Sequence, residues 1–159
     1  MKKFYQTEKS FRESYVDTLG KLYKYATSTY PKLTYTKTID GEGGYTYAEF
    51  KETTDNISKK LTQYGIGAGD KVAILAENMP NWSVAFFSAV PFGRISIPIL
   101  PESSQNEVTN ILNHSETKVL FVSKTLFPNV SSVEVFKEPF EKTATKKIRR
   151  FKYKDQIGV

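Results

Sequence analysis

The sequence has no cysteine. That absence removes disulfides, thiolate metal sites and cysteine nucleophiles together, and it fits a reducing compartment. Histidine occurs once, as His114, so a His-rich metal cluster is excluded. Zinc or copper would have to rest on carboxylates, which suit those ions poorly. No run approaches the roughly 20 apolar residues that span a bilayer. Met1-Lys2-Lys3-Phe4 carries charge, but no apolar run follows it, so the start does not read as a secretory signal. A cytoplasmic protein without a transmembrane segment is the expectation. Two catalytic signatures are also missing: there is no G-x-x-x-x-G-K-[ST] phosphate loop and no G-x-S-x-G elbow for a nucleophilic serine. Internal repeats and low-complexity segments are absent too.

What is there is ordinary for a globular chain with one core: 159 residues, 39% hydrophobic and 25% charged. The net charge of +6 is unevenly spread. From Glu134 onward there are eight basic residues, Lys137, Lys142, Lys146, Lys147, Arg149, Arg150, Lys152 and Lys154, against four acids, Glu134, Glu138, Glu141 and Asp155. Such a tail is either a solvated charged end or an attractor for phosphates, nucleic acid or an anionic membrane surface.

Residues 11 to 30 have helical spacing at Tyr15, Leu19, Leu22, Tyr23 and Ala26, and Pro31 ends the pattern. Leu33 to Ile39 alternates as a strand. Asp40-Gly41 signals a turn, and Gly43-Gly44-Tyr45 leads back, which predicts a β-hairpin. Thr46 and Glu49 have capping-box spacing and open a helix with Tyr47, Phe50, Ile57, Leu61 and Tyr64 inward. Gly65 is placed to close it. Val72 to Ala76 is a short, uniformly apolar run that suits a strand buried on both faces. Trp82 to Val90 reads as a buried helix after Pro80. Ile95 to Ile99 is a second strand, with Pro98 marking its end. Ser104 and Glu107 open a further helix with Val108, Ile111 and Leu112 inward, and Val119 to Val122 is a third strand. The predicted fold class is therefore α/β: a parallel sheet with crossover helices plus an N-terminal β-hairpin. After Phe127 the pattern breaks at Pro128-Asn129, with a short strand at Val133, Val135 and Phe136 and then a charged stretch. The chain divides into an α/β part, 1–127, and a basic tail, 128–159.

Gly65-Ile66-Gly67-Ala68-Gly69 looks at first like a nucleotide-binding loop, but it follows a helix and precedes a strand. A dinucleotide fingerprint has the opposite order, so that a helix N-terminus meets the pyrophosphate. It therefore reads as a helix stop and a turn. Glu77-Asn78 falls at the carboxyl edge of the first apolar strand, where open α/β sheets bind ligands, although Asn78 serves equally well as a helix N-cap. His114, between a helix and a strand, reads as a packing or capping residue. Arg94 is expected to reach solvent or to pair with Glu102. Trp82, Phe86 and Phe87 are expected in the core.

The segments Tyr45-Thr46-Tyr47-Ala48-Glu49-Phe50, Leu61 through Leu75 and Glu77-Asn78-Met79-Pro80-Asn81-Trp82 together resemble the N-terminal region of AMP-forming acyl-CoA synthetases, the adenylate-forming superfamily. Ile97-Pro98-Ile99-Leu100-Pro101 and Ile111 through Val122 continue the resemblance, which covers roughly residues 15 to 127 and is most similar to long-chain fatty acid–CoA ligases. Glu141 to Arg150 is similar to the segment that ends the small mobile domain of the same family. There Lys147 falls on the lysine that contacts the substrate carboxylate and phosphate during adenylation. Lys146 stands where glycine is usual and Glu141 where proline is usual.

In full-length members the resemblance implies ATP, magnesium and CoA as cofactors and co-substrates and a fatty acid as substrate. The parts that hold them lie between these two segments: a Ser/Thr/Gly-rich phosphate loop ending in Pro-Lys-Gly, an adenine-binding strand, a magnesium-binding glutamate, a ribose-binding aspartate and a hinge. None is present here, as though a head were joined to a tail by truncation or internal deletion. The expectation is a relative of a long-chain fatty acid–CoA ligase that is inactive alone, with no cofactor or metal of its own and with Lys147 as its single catalytic carry-over. The alternatives are an interaction or regulatory module that associates with a full-length synthetase or with itself, and a basic-tail binder of nucleic acid or a membrane surface through Lys146 to Lys154. The family resemblance accounts for the tail residues more economically than the last of these.

Overall fold

Thr46 is the residue from which the first half of the fold is most easily built. Its extended backbone ends a strand, and its hydroxyl accepts from the Glu49 N–H at 3.3 Å while the Glu49 carboxylate accepts from the Thr46 N–H at 2.8 Å. Two of the amides that a helix start leaves unpaired are thereby satisfied. The backbone N–H of Thr46, and then its hydroxyl, hold the Glu49 carboxyl below the usual range. Thr18 caps the preceding helix in the same way, accepting from Lys21 N at 3.2 Å.

The computed structural model describes residues 17–41 and 43–130, and these fall into two compact units. The first unit holds α1 (Leu19–Thr29), β1 (Thr34–Lys37), β2 (Gly44–Thr46), α2 (Tyr47–Gln63), α3 (Pro80–Ala89) and the 3₁₀ turn Val90–Phe92. β1 and β2 pair antiparallel, with a register shift between Thr34 and Thr36. Gly44 sits at φ +141°, and a Cβ there would lie 2.1 Å from the Thr36 carbonyl oxygen, so only glycine lets the hairpin close. The core of this unit is aromatic. Tyr23, Phe50 and Val84 are buried, with Tyr35, Tyr45, Ile57 and Phe87 packed on them. Phe50 stacks on Tyr35 with centroids 4.1 Å apart and meets Tyr23 and Phe87 edge-on at 5.9 and 5.6 Å. The Tyr23 hydroxyl donates to Asp55 Oδ1 at 2.8 Å. Burial, and then that carboxylate, raise its pKa far above the usual phenol value.

The second unit is a three-stranded parallel sheet in the order β4 (Ile95–Ile99), β3 (Lys71–Leu75), β5 (Val119–Val122), with α4 (Gln105–Ser115) between β4 and β5 in the chain. Parallel neighbours need long connections, which here carry α3 and α4. β3 is central: Val72, Ala73 and Ile74 are fully buried and Leu75 nearly so. This is the situation that a continuous apolar run signals. Ala73, Leu75 and Ile99 form one buried cluster with Val108 and Leu112 of α4. Pro98 lies inside β4, opposite Ile74. It is tolerated because β4 is an edge strand among the described residues, so its missing N–H breaks no ladder bond on the outer side. A second capping box, Ser104 with Glu107, opens α4, and Glu116 closes it in the left-handed region at φ 57°.

Replacing Thr46 or Ser104 by alanine is expected to lower stability by about 1 kcal/mol each, with Thr46→Asn close to neutral. Urea denaturation of the three variants checks this. A loss near zero for both alanine variants would mean that packing alone holds α2 and α4.

Several expectations need correction. The helix expected from residue 11 begins at Leu19, with Thr18 as its cap; residues 11–16 lie outside the described residues. Tyr23 and Thr27 are its buried positions, and Leu19 is exposed. On α2 the buried stripe is Phe50, Thr54, Ser58 and Leu61, whereas Tyr64, just past the helix end, is 79% exposed. Helical periodicity identified the face, but it could not distinguish a small polar residue packed tightly from an aromatic one step past the last turn. The N-cap of α3 is Met79, without a side-chain cap, and not Asn78. Trp82, Phe86 and Phe87 are half-buried, so that helix is less enclosed than its composition implied. The strand expected at Val133 to Phe136 lies outside the described residues.

Candidate functional site

The parallel register brings two polar side chains to the carboxyl edge of the sheet. Glu77 follows the end of β3, and Ser123 follows the end of the neighbouring β5, with its N–H bonded to the Leu75 carbonyl at 3.0 Å. Ser123 is buried, and its hydroxyl hydrogen-bonds the Glu77 carboxylate and holds its pKa below the usual range. The second carboxylate oxygen, Oε2, is buried without a hydrogen-bond partner. Ligands of open α/β sheets bind at this edge, and the place of Glu77 at it is legible from the apolar run before it. The place of Ser123 is not legible there, because nothing in the local sequence shows that β5 lies beside β3. His114 sits exposed in the last turn of α4 and therefore leads into the amino end of β5, the opposite edge of the sheet. Glu77 and His114 do not come together, and His114 packs into no core. A basic side chain in the last turn does suit the helix dipole there.

Gly65 and Gly69 both adopt positive φ, at 77° and 83°, in the loop between α2 and β3. Ile66 N bonds back to the Leu61 carbonyl and Gly65 N to Thr62. This is a helix stop. No helix starts from this loop, so it offers no amide cradle to a phosphate.

Arg94 departs most from expectation. It is 5% exposed and points neither to solvent nor to Glu102. Nε and Nη2 donate to the Ile66 carbonyl at 3.0 and 2.9 Å. Nη1 donates to Ser58 Oγ at 2.8 Å and the Ser88 carbonyl at 3.3 Å, and Nη2 also reaches Thr62 Oγ1 at 2.8 Å and the Ser58 carbonyl at 3.1 Å. The guanidinium thus serves carbonyls near the end of α2 and in α3, where the helix dipole favours a cation. Its role is structural, and the signal that could have found it was the run of serine and threonine, Ser58 and Thr62, at one-turn spacing on α2.

In the first unit an open groove of about 530 Å³ runs beside β2 and α2. Tyr45 and Ile57 supply its apolar surface; Glu49, Glu52, Asn56 and Lys60 line it with polar groups. Its carboxylates disfavour a phosphate, and Glu49 is already committed to the cap of α2. Among the described residues there is no group of three or more carboxylate or histidine side chains placed to hold a metal ion, and no helix is long and apolar enough to cross a membrane. Lys147, the sequence-derived catalytic candidate, lies outside the described residues.

Comparison with known proteins gives this geometry a context. The family model described as AMP-binding enzyme matches residues 24–156. A putative acyl-CoA synthetase of Bacillus subtilis, YngI, is 29% identical over 66% of this chain and 19% of its own length. A long-chain-fatty-acid–CoA ligase of Thermus thermophilus is 34% identical over 55% of this chain and 16% of its own. The chain thus spans about a fifth or less of these relatives. In fold it is similar to the inhibitor-bound N-terminal domain of FACL13 from Mycobacterium tuberculosis, with a TM-score of 0.69 and 24% identity over 77% of this chain and 31% of that one. The family match over most of the sequence settles the assignment: the chain belongs to the AMP-binding enzymes, the family that includes the AMP-forming acyl-CoA ligases.

Proposed function

We propose that this chain is the N-terminal portion of a long-chain fatty acid–CoA ligase fold, working in the cytoplasm and catalytically silent by itself. The observation that carries this reading is coverage. The chain spans 16–19% of the ligases it matches, and its sequence contains none of the phosphate, adenine, magnesium or ribose elements of the resemblance. Adenylation joins a carboxylate oxygen to the α-phosphorus of ATP and expels pyrophosphate. Charge develops on the phosphate oxygens, and catalysis consists largely of placing amides, cations and magnesium against it. Loss of one such donor costs about 10²–10³ in rate. Lys147 alone cannot replace the set. ATP, magnesium, CoA and a fatty acid enter only where a ligase body is supplied.

The purified chain is expected to give no fatty-acid-dependent exchange of labelled pyrophosphate into ATP above a protein-free blank. Exchange that is abolished by Lys147→Ala would overturn the reading and restore the lysine to its family role.

A second reading, association with a synthetase or with another copy of itself, is supported by apolar side chains left open in the second unit: Leu100 is 71%, Phe127 57% and Ile95 47% exposed. Exposed apolar surface favours association. Light scattering across a concentration series is expected to show a mass above that of the monomer. A monodisperse monomer at high concentration, unchanged when a full-length synthetase is added, would remove this reading.

A further inference from the structure

We draw no further inference here: the strongest candidate, the carboxyl edge of the three-stranded sheet where Glu77 Oε2 is buried without a hydrogen-bond partner beside Ser123, carries nothing because the Glu77 side chain is otherwise partly exposed and nothing among the described residues shows which donor covers that oxygen.

Discussion

Arg94→Leu is expected to lower the free energy of unfolding by about 2–4 kcal/mol, because several buried acceptors would lose a charge-assisted donor at once. Leucine fills part of the volume but donates nothing. The carbonyls of Ile66, Ser58 and Ser88 would each lose a donor in a buried setting, and the part-buried hydroxyl contact of Thr62 would be lost as well; an unsatisfied buried polar group costs about 1–3 kcal/mol. Local relaxation and water entry keep the total below the sum. Thr62 Oγ1 also donates to the Ser58 carbonyl at 3.1 Å, so the loss spreads along α2. Arg94→Lys is expected to recover only part of the stability, because a single ammonium cannot reproduce the fork that grips the Ile66 carbonyl twice. Urea denaturation followed by far-UV circular dichroism measures both variants. A loss under about 1 kcal/mol for Arg94→Leu, or full rescue by lysine, would show that the guanidinium network does not hold α2 in place.

Phe50→Ala is expected to cost about 3–5 kcal/mol, the range for truncating a buried phenylalanine. Phe50 is 2% exposed and contacts Tyr35, Tyr23 and Phe87. Alanine removes the ring from all three and leaves a cavity whose walls come from α1, β1 and α3, elements too constrained by their own pairings to collapse fully. Phe50→Leu retains most of the volume and is expected to cost less. Tyr64→Ser, at the C-terminal end of the same helix, is the control: at 79% exposure it is expected to change stability by no more than about 0.5 kcal/mol. Equal losses for Phe50→Ala and Tyr64→Ser would contradict the observed burial pattern.

Much of the architecture is legible in the residues because its causes are local. A capping box needs two side chains three apart, so Thr46–Glu49 and Ser104–Glu107 name the starts of α2 and α4 without reference to anything distant. A strand enclosed on both faces has no polar alternation, so the apolar run Val72 to Ala76 names β3, observed at Lys71–Leu75. A glycine that must take positive φ after a helix names the stop at Gly65. The order helix–strand–helix–strand then leaves a parallel sheet as the economical solution, and the family resemblance agrees with it.

Other features required the folded chain, because they depend on which distant segments become neighbours. The sequence by itself determined most of the elements, their order and the lack of a G-x-x-x-x-G-K-[ST] run, which follow from spacing within about ten residues or from what is simply not encoded; the family came from the resemblance of several segments taken together. Only the tertiary structure decided that β3 lies between β4 and β5, and that order is what sets Ser123 against Glu77. It also decided the place of Arg94. By its charge alone that residue belongs in water, and burying it is costly unless its donors are met. Residues 28 and 36 positions away supply those acceptors. Pairings across such separations leave no periodic trace in the sequence, whereas caps, turns and buried runs do.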